Sequence, residues 1–363
     1  MPGVYISYPF CAQKCSYCNF ASGVFPKALE SQYQERLLGE LERAEWPWTP
    51  ETLYFGGGTP SLWPEADLAA VLRRVPGKPW REATMECAPG TLTPEKIEAW
   101  LEAGVNRVSL GVQSFVSTEL RRTGRKHDAE TVRRDVAMLR AAGLTNINLD
   151  LIAGLAGQTR ESWRTSLEQL LELDPPHASV YILEVDEDSR LGAEVLLNGV
   201  RFGAPDVPSE ELQVEFYETA VERLAAAGIA RYEISNFARA GFESLHNLKY
   251  WKLEEYLGFG ADAHSLAGGM RWRNAESPAE YVAQGESQQE REAADAARER
   301  YWVGLRLLEG VPDRGEYPAT MATLTRDGLL ERQGERVRLT ARGVLLSNEV
   351  FERFLAPEQD GHH

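Results

Sequence analysis

Short apolar runs alternate with longer amphipathic stretches through the first half of the chain. The runs typical of strands are VYISY (4–8), TLYFG (52–56), ATMEC (83–87), RVSLGV (107–112), NINLDLI (146–152) and SVYILEV (179–185). Between them, segments such as PEKIEAWLEAG and AETVRRDVAMLRAAG repeat apolar residues with helical spacing. Gly104 and Gly143 each stand where such a helix should end, before the next strand. The pattern predicts six successive β–α units, which form either an incomplete barrel or a doubly wound sheet with parallel strands.

The second half of the chain lacks this regular alternation. Residues 186–208 are rich in charged residues, glycine and proline, which indicates a connecting segment. The end of the chain shows two helical patterns, a short β-ribbon in ERVRLTARG and a terminal helical pattern, as in a winged helix. At 363 residues the chain exceeds the roughly 250–300 residues at which one core stops growing. We therefore predict a β–α core over residues 1–185, an extension over 186–290 and a small α+β domain over 291–363.

The composition is that of a globular protein, with 43% hydrophobic and 9% aromatic residues. The 55 acidic and 39 basic residues give a net charge of −16, which argues against broad binding to nucleic acid or anionic membranes. A local basic pocket for a carboxylate-bearing ligand is compatible with this balance. No run approaches the ~18 apolar residues of a membrane span, and the N-terminus lacks the pattern of a secretory signal. These features predict a cytoplasmic protein without a membrane span.

Three of the four cysteines lie in one short segment near the start of the chain. Cys11, Cys15 and Cys18 follow the spacing C-x3-C-x2-C, whereas Cys87 stands alone. A disulfide framework would need an oxidising compartment, which nothing in the sequence indicates. Buried thiols, or a zinc site that uses Cys87 as its fourth ligand, are the alternatives. The crowding favours a [4Fe–4S] cluster with one iron left open for another ligand, because soft thiolates select such clusters.

Polar and glycine-rich positions come at the ends of the predicted strands. In parallel α/β folds, ligands bind beyond the carboxyl ends of the strands, so these positions should share one rim. The first strand leads into the cysteines, and the second ends in the loop GGGTPS, residues 56–61. Glu86 ends the third strand, Gln113 follows the fourth, and Asp150 lies in the fifth. The sequence therefore predicts a cofactor site where these side chains, the glycine loop and the cysteines converge.

Two motifs at this rim, C-x3-C-x-aromatic-C and GGGTPS, resemble those of the radical S-adenosylmethionine (SAM) enzymes. The resemblance implies an α/β fold with a partial (β/α)6 TIM-like barrel, in which Cys11, Cys15 and Cys18 hold the cluster and SAM chelates the open iron. It also implies that an electron from the cluster splits SAM to a 5′-deoxyadenosyl radical, while the protein orients and shields this chemistry. The residues that it assigns to cofactor binding are Tyr5, Gly56, Gly57, Gly58, Thr59, Glu86, Gln113, Arg125 and Asp150.

A narrower resemblance extends over essentially the whole chain. YISYPFC, LGVQSF, GRKHDAETV, NLDLIAGLAGQT, YEISNFAR, HNLKYW and YLGFGADAHS are similar, in this order, to segments of the HemW-type haem chaperones. This implies a protein that carries haem as cargo to haem-accepting apo-proteins, with flavodoxin or ferredoxin as an electron donor. Two enzymes are the alternatives: an oxygen-independent coproporphyrinogen III dehydrogenase, which is an oxidoreductase of porphyrin biosynthesis, and a radical enzyme that opens haem. Whether the chain is an enzyme stays open at this point.

Two features favour the chaperone over the dehydrogenase. Phe20 stands where the dehydrogenase has a further cysteine. The cysteine loop also begins at residue 11, which leaves no room for the N-terminal segment that covers the dehydrogenase's substrate. We therefore expect no conversion of coproporphyrinogen III. The chain departs from the family pattern at four positions that are not cluster ligands: Ser7, Ala88, Ala156 and Asp262.

The resemblance assigns haem ligation to the motif HNLKYW, which begins with His246. Imidazole is a common axial ligand of haem iron, although the residue alone would more readily suggest a histidine that holds a loop to the core. His264 and His127 would each contact the propionates or a neighbouring residue. Tyr250 and Trp251 would stack on the macrocycle or belong to the core. We predict that His246 binds haem, and that its removal weakens haem binding while the cluster and the SAM response stay unchanged.

Overall fold

The computed structural model describes residues 2–284 and 291–355. The strands are β1 (Gly3–Tyr8), β2 (Thr52–Gly57), β3 (Glu82–Cys87), β4 (Arg107–Gln113), β5 (Ile147–Ala153), β6 (His177–Ile182), β7 (Ala230–Arg231), β8 (Asn236–Ala238), β9 (Tyr256–Phe259), β10 (His264–Ala267), β11 (Met270–Arg273), β12 (Arg291–Ala293), β13 (Val311–Pro312), β14 (Leu330–Gln333) and β15 (Arg336–Leu339).

Helices follow most of the strands. They are α1 (Lys27–Arg43), α2 (Glu65–Leu72), α3 (Pro94–Ala103), α4 (Ser117–Arg122), α5 (Ala129–Ala141), α6 (Arg160–Glu172), α7 (Arg190–Leu196), α8 (Glu210–Ala226), α9 (Leu245–Trp251), α10 (Pro278–Gln284), α11 (Ala296–Trp302), α12 (Pro318–Arg326), α13 (Ala341–Leu345) and α14 (Ser347–Glu352). None of the helices in the described part of the chain is both long enough and apolar enough to cross a membrane.

Twelve strands form one sheet, in the order β12-β11-β10-β9-β1-β2-β3-β4-β5-β6-β8-β7. β1 to β6 are parallel neighbours, and β9 pairs in parallel with the free side of β1. The six predicted β–α units are therefore present. Local signals explain where the helices lie: Thr93 caps the start of α3 by accepting a bond from the Lys96 N–H, and Gly104 ends the helix in the left-handed conformation, at φ 102°.

Side chains alternate between the two faces of the parallel strands. Those that face the covering helices are apolar and fully buried in β1 to β4: Val4, Ile6, Leu53, Phe55, Ala83, Met85, Val108 and Leu110. Those on the other face, inside the barrel, are mostly polar: Tyr5, Thr52, Tyr54, Glu82, Thr84, Glu86, Arg107 and Ser109. The main core therefore lies between the sheet and its helices, and the barrel interior is a polar space that leads to the strand ends.

The segment that follows residue 185 adds strands to both edges of the same sheet. β7 and β8 extend it beyond β6, and β9 to β12 extend it beyond β1. The two edge strands, β7 and β12, do not pair with each other in the described structure, so the barrel is incomplete. The sheet therefore continues past the boundary that was predicted at residue 185, and the connecting segment itself contains α7.

The last described residues form a small α+β unit. An antiparallel sheet, ordered β13-β15-β14, follows α11, and the hairpin of β14 and β15 comes directly after α12. Its core stacks Tyr301 on Phe354 with ring centroids 5.0 Å apart. The guanidinium of Arg306 lies 4.6 Å above the Trp251 ring, which attaches the unit to α9. Helix followed by ribbon is the winged-helix-like arrangement that the sequence predicts.

Candidate functional site

The three clustered cysteines lie on the loop between β1 and α1, with their thiols half-buried. Two backbone hydrogen bonds join the start of the loop to Gly23 near its end. The Cys11 N–H donates to the Gly23 carbonyl at 2.8 Å, and the Gly23 N–H donates to the Pro9 carbonyl at 2.9 Å. Burial raises the pKa of the Cys11 thiol, and the charges of Cys18 and Cys15 raise it further. The three thiols are therefore electrostatic neighbours.

In the described residues, no three His, Cys, Asp or Glu side chains converge on a point that would hold one metal ion. A [4Fe–4S] cluster does not require such a point, because each thiolate binds a different iron of the cluster. Three neighbouring, half-buried thiols on one short loop are the donor set that such a cluster needs. The residues present therefore fit the cluster better than they fit a single zinc ion.

The glycine loop after β2 packs directly on the cysteine loop. The Gly58 N–H donates to the Tyr8 carbonyl at 2.8 Å, and the Thr59 N–H donates to the Phe10 carbonyl at 3.0 Å. A Cβ on Gly58 would lie 2.7 Å from the carbonyl carbon of Pro9 and 2.8 Å from the carbonyl oxygen of Phe10. Only glycine allows this approach. These two hydrogen bonds fix the glycine loop to the backbone of residues 8–10.

Glu86 lies at the carboxyl end of β3, beside the glycine loop. Its carboxylate accepts a hydrogen bond from the Tyr54 hydroxyl at 2.7 Å and another from the Gly57 N–H. Burial raises the pKa of Glu86 to about 7; the bond from Tyr54 opposes this rise, and the charge of Asp150 adds to it. The ring of Tyr5 stacks on Tyr54, with centroids 6.1 Å apart and an interplanar angle of 19°. The arrangement presents a half-buried carboxylate that is suited to a ligand's ammonium group.

Gln113 has a buried acceptor atom without a hydrogen-bond partner among the described residues. A β-bulge between Leu110 and Gln113 interrupts β4, and Gln113 takes the left-handed conformation at φ 68°. Its side chain is 8% exposed, and its Oε1 atom is buried without a hydrogen-bond partner. An unsatisfied buried acceptor costs about 1–3 kcal/mol, so this amide is prepared for a donor that the protein itself does not supply.

Arg125 and Asp150 complete the rim. A Cβ on Gly111 would lie 3.0 Å from the Gln113 amide nitrogen and 3.2 Å from an Arg125 guanidinium nitrogen, so these two side chains converge over the same glycine. Arg125 donates to the Tyr17 hydroxyl at 3.0 and 3.3 Å, within the cysteine loop. Asp150 accepts from the Asn148 amide at 2.6 Å. Burial raises the pKa of Asp150, and its charge acts on both Glu86 and Arg125.

His246 lies away from this rim. Its ring is completely buried, its Nδ1 lies 2.9 Å from the Thr52 hydroxyl and its Nε2 lies 2.7 Å from the Tyr250 hydroxyl. Thr52 begins β2, so His246 occupies the end of the barrel opposite the cysteines. Burial lowers the pKa of His246 well below its ordinary value. This is the geometry of a histidine that holds a helix to the core. Haem ligation by His246 stays a prediction, and it would require the hydrogen bond at one of the two ring nitrogens to break.

The helix that carries His246 forms the floor of the barrel. The N–H groups of Leu245 and His246 donate to the Glu82 carboxylate at 2.8 and 2.9 Å, at the positive end of α9. The His246 ring stacks on Tyr54, with centroids 5.1 Å apart and an interplanar angle of 30°. Tyr250 packs edge-on against Tyr256, with centroids 4.7 Å apart, and Trp251 is covered by Arg306. The aromatic residues of HNLKYW therefore pack against other residues of the protein. The motif also contacts the rim indirectly, because His246 stacks on Tyr54 and Tyr54 donates a hydrogen bond to Glu86.

The other three histidines of the described residues occupy different environments. The Nε2 of His127 lies 3.0 Å from the Val112 carbonyl at the end of β4, and burial lowers the pKa of His127 to about 4. His264 is exposed at the start of β10. His177 begins β6 and is buried between Asn148 and Tyr232, at 2.6 and 2.9 Å. Of these three, only His127 lies next to a residue of the candidate site.

Two residues inside the barrel were not predicted from the sequence. Tyr54 links Glu86 to His246 as described above. Arg107 is 1% exposed, with one guanidinium nitrogen 3.5 Å from the Thr84 hydroxyl, and its charge lowers the pKa of Glu86 and Asp150. The signal that could have found both is the two-residue alternation of the strands, which places Tyr54 and Arg107 on the same face as the predicted site residues.

Comparison with known proteins gives a consistent result. Residues 5–170 match the family model of the radical SAM superfamily. The chain is 34% identical to the haem chaperone HemW of Bacillus subtilis, over 98% of this chain and 99% of that protein. It is 33% identical to the haem chaperone HemW of Escherichia coli, over 97% of this chain and 98% of that protein. Both matches therefore extend far beyond the residues that the superfamily model covers.

Among solved structures, the chain is similar to coproporphyrinogen III oxidase of Escherichia coli, which is described as a radical SAM enzyme. The TM-score is 0.81, and the match covers 97% of this chain and 89% of that one, at 23% sequence identity. At this identity the likeness concerns the fold. It confirms the predicted fold class, a partial TIM-like barrel followed by a smaller C-terminal domain.

Proposed function

The chain belongs to the HemW family of haem chaperones, within the radical SAM superfamily, and from this premise we propose that it binds haem and delivers it to haem-free acceptor proteins. The observation that carries the proposal is the length of the similarity, which reaches 98% of the chain for a relative named as a haem chaperone. A match restricted to the cofactor domain would fit many chemistries, because one fold serves many functions. The segment with α7 to α10 and the C-terminal unit would then belong to cargo binding and delivery.

In this proposal Cys11, Cys15 and Cys18 hold a [4Fe–4S] cluster. When bound, the cluster and SAM supply one-electron chemistry that no side chain offers. The reduced thiols that this requires agree with a cytoplasmic protein that receives electrons from flavodoxin or ferredoxin. The support comes from the neighbouring thiols described above.

The side chains of the rim would bind and orient SAM. Glu86 would accept a hydrogen bond from the ammonium group of SAM, which would lie against the backbone of residues 56–59. The buried acceptor of Gln113 would bond to a donor of the ligand. Arg125 would pair with the carboxylate of SAM. Asp150 would accept hydrogen bonds from the ribose hydroxyls, and Tyr5 would pack beside Glu86. Tyr54 would hold the Glu86 carboxylate in place without touching the ligand.

The dehydrogenase alternative is not favoured. The solved coproporphyrinogen III oxidase shares the fold at 23% identity, whereas the full-length relatives at 33–34% identity are named as haem chaperones. Phe20, which stands where the dehydrogenase has a further cysteine, is 66% exposed in the cysteine loop and offers no thiol. We therefore propose that the protein does not convert coproporphyrinogen III, although its membership of the radical SAM superfamily is plain.

Anaerobic reconstitution tests the cofactor part of this proposal. The wild type should take up about four iron and four sulfide per chain, and its absorption spectrum should change when SAM is added. Alanine at Cys11, Cys15 or Cys18 should abolish the cluster. The matched control is Cys87→Ala, whose thiol is buried beside the site at 5% exposure and should not be needed. Stoichiometric zinc without iron, or loss of the cluster in Cys87→Ala, would contradict the assignment.

A side-by-side assay tests the function. The reconstituted protein is offered haem in one sample and coproporphyrinogen III with SAM and a reductant in the other. We expect saturable haem binding near one equivalent and no product from coproporphyrinogen III. SAM-dependent formation of protoporphyrinogen would make the protein an enzyme of haem synthesis and overturn the proposal.

A further inference from the structure

Arg125, which would pair with the carboxylate of SAM, is itself held by the cysteine loop. Its Nε and Nη2 atoms both donate to the Tyr17 hydroxyl, at 3.3 and 3.0 Å. Among the residues that the structure describes, no carboxylate accepts a hydrogen bond from this guanidinium. Because a guanidinium carries several N–H donors, donors remain for a ligand after the bond to Tyr17 is made.

The Tyr17 hydroxyl has a fixed place because the ring that carries it is anchored. The ring packs against a small apolar cluster, which consists of Ile152, Leu155, Leu183, Leu191 and Ala204. In sequence, Tyr17 stands between Cys15 and Cys18. The place of the hydroxyl therefore depends on how the cysteine loop folds.

The cysteine loop is also bonded to the backbone just before Arg125. The Ser16 N–H donates to the Thr123 carbonyl at 3.1 Å, and the Gln13 side-chain amide donates to the Gly124 carbonyl. Thr123 follows α4 and is 1% exposed, so these bonds join the loop to a buried helix end. The cysteine loop thus contacts three successive residues, of which Arg125 is the last.

The held guanidinium faces an opening on β4. A Cβ on Gly111 would lie 3.2 Å from Arg125 Nη2 and 3.0 Å from the amide nitrogen of Gln113, so the missing side chain leaves room beside both groups. Gln113 Oε1 is the buried acceptor without a partner in the described residues. Guanidinium donors and an unsatisfied acceptor therefore border one opening, which fits a ligand that carries a carboxylate and a hydrogen-bond donor, as an amino acid does.

We propose that Tyr17 is a positioning residue that holds Arg125 toward the carboxylate of SAM, so that the folded cysteine loop prepares part of the SAM site as well as the cluster. The inference rests on the proposed function and links its two cofactors. An unrestrained arginine side chain loses rotational freedom when it pairs with a carboxylate, and this loss weakens binding. Because the folded loop already orders Arg125, less of this freedom is lost when SAM binds.

Anaerobic SAM titrations of the reconstituted full-length protein test the role of Tyr17 in a double-mutant cycle. Tyr17→Phe keeps the ring and removes the hydroxyl, so SAM affinity should fall about fivefold, while the iron content and the spectrum without SAM stay those of the wild type. Arg125→Gln should weaken SAM binding about tenfold. In the Arg125→Gln background, Tyr17→Phe should have no further effect, because the hydroxyl acts through Arg125.

Decarboxylated SAM, which lacks the carboxylate, separates positioning from direct contact. Tyr17→Phe should leave the affinity for this compound unchanged. A direct contact between Tyr17 and the ligand would weaken the binding of both compounds and would persist in the Arg125→Gln background, and either result would overturn the proposal. Tyr301→Phe is the matched control. It removes a tyrosine hydroxyl that donates to Glu316 at 2.5 Å in the C-terminal unit, and it should bind SAM as the wild type does.

The remaining outcomes separate this inference from the proposed function. Unchanged SAM affinity in Tyr17→Phe would refute the role of Tyr17 and leave the proposed function standing. Loss of iron from Tyr17→Phe would show that Tyr17 shapes the cluster site itself, which would also refute the role. A wild type that holds the cluster but does not respond to SAM would instead contradict the cofactor part of the proposed function, and the inference would fail with it.

Discussion

Replacing His246 with alanine should destabilise the whole protein. The ring is completely buried, both of its nitrogens have hydrogen-bond partners, and it lies against Tyr54 and Tyr250 with centroids 5.1 Å away in each case. Alanine would leave a cavity at the floor of the barrel and would remove the described partner of the Tyr250 hydroxyl. Thr52 would keep its bond from Lys249.

The size of the effect follows from these losses. Truncating a buried aromatic side chain to alanine costs about 3–5 kcal/mol. A hydroxyl left without a partner in the core adds about 1–3 kcal/mol, but this pocket is polar and can relax, so we expect a total of about 4 kcal/mol. At about 2 °C per kcal/mol for a chain of this size, the midpoint of thermal unfolding should fall by about 8 °C. The expected loss of about 4 kcal/mol is a large share of the ~5–15 kcal/mol by which a native protein is stable.

Thermal unfolding followed by circular dichroism measures this loss, and a haem titration of the same sample measures affinity. His264→Ala is the matched control, because the same side chain is removed from an exposed site and the midpoint should move by less than about 1 °C. The reasoning is refuted if His246→Ala unfolds at the wild-type temperature but loses haem affinity, while His264→Ala keeps it. His246 would then be the haem ligand in solution, as its motif suggests.

Three other changes probe the rim and the floor. Gly58→Ala should lower cluster content after reconstitution, because its Cβ would lie 2.7 Å from backbone of the cysteine loop, whereas Gly39→Ala, which meets only the flexible Arg43 side chain, should reconstitute normally. SAM affinity should rise as the pH passes about 7, where Glu86 deprotonates. Tyr54→Phe should shift the midpoint of this rise upward by about one pH unit, because it removes a hydrogen bond that lowers the pKa of Glu86. A SAM affinity that does not depend on pH would refute this prediction. The loss of stability caused by His177→Gln should become smaller below pH 6.5, by up to ~1.4 kcal/mol per pH unit. Burial lowers the pKa of His177, so below pH 6.5 only the unfolded wild-type chain takes up the proton, and the wild type loses stability that the variant keeps. Urea midpoints at pH 7.5 and 5.5 measure the difference in stability between the two proteins, and a difference that does not change with pH would refute the prediction.

The parallel strands were predictable because each combines an apolar face against helices with a helix stop before it. The third strand was predicted over 83–87 and runs from Glu82 to Cys87, and the helix before the fourth ends at Gly104 as expected. The sixth strand was predicted over 179–185 but runs from His177 to Ile182, because its inward residues are polar and hide its start. The added strands β7 to β12 are two to four residues long, too short to show a clear alternation of apolar and polar residues. The hairpin of β10 and β11 does carry a local signal, because it turns at Gly268 and Gly269.

The rim was predictable for a topological reason. The carboxyl ends of parallel strands meet at one edge, so residues that follow separate strands converge whatever their distance along the chain. The position of His246 could not be obtained in this way. It depends on how α9 packs on Thr52 and Glu82, and the aromatic residues of HNLKYW fit a buried helix as well as they fit a macrocycle.

Haem transfer between purified proteins tests the central claim most directly. The protein is loaded with one equivalent of haem, freed of excess and mixed with haem-free forms of haem proteins from the same organism, while apomyoglobin in a separate sample measures spontaneous haem loss. We predict that at least one acceptor takes up haem faster than apomyoglobin does, at a rate that rises with acceptor concentration. Failure to bind haem, or release to every acceptor at the rate of spontaneous loss, would contradict the proposal that this chain is a haem chaperone.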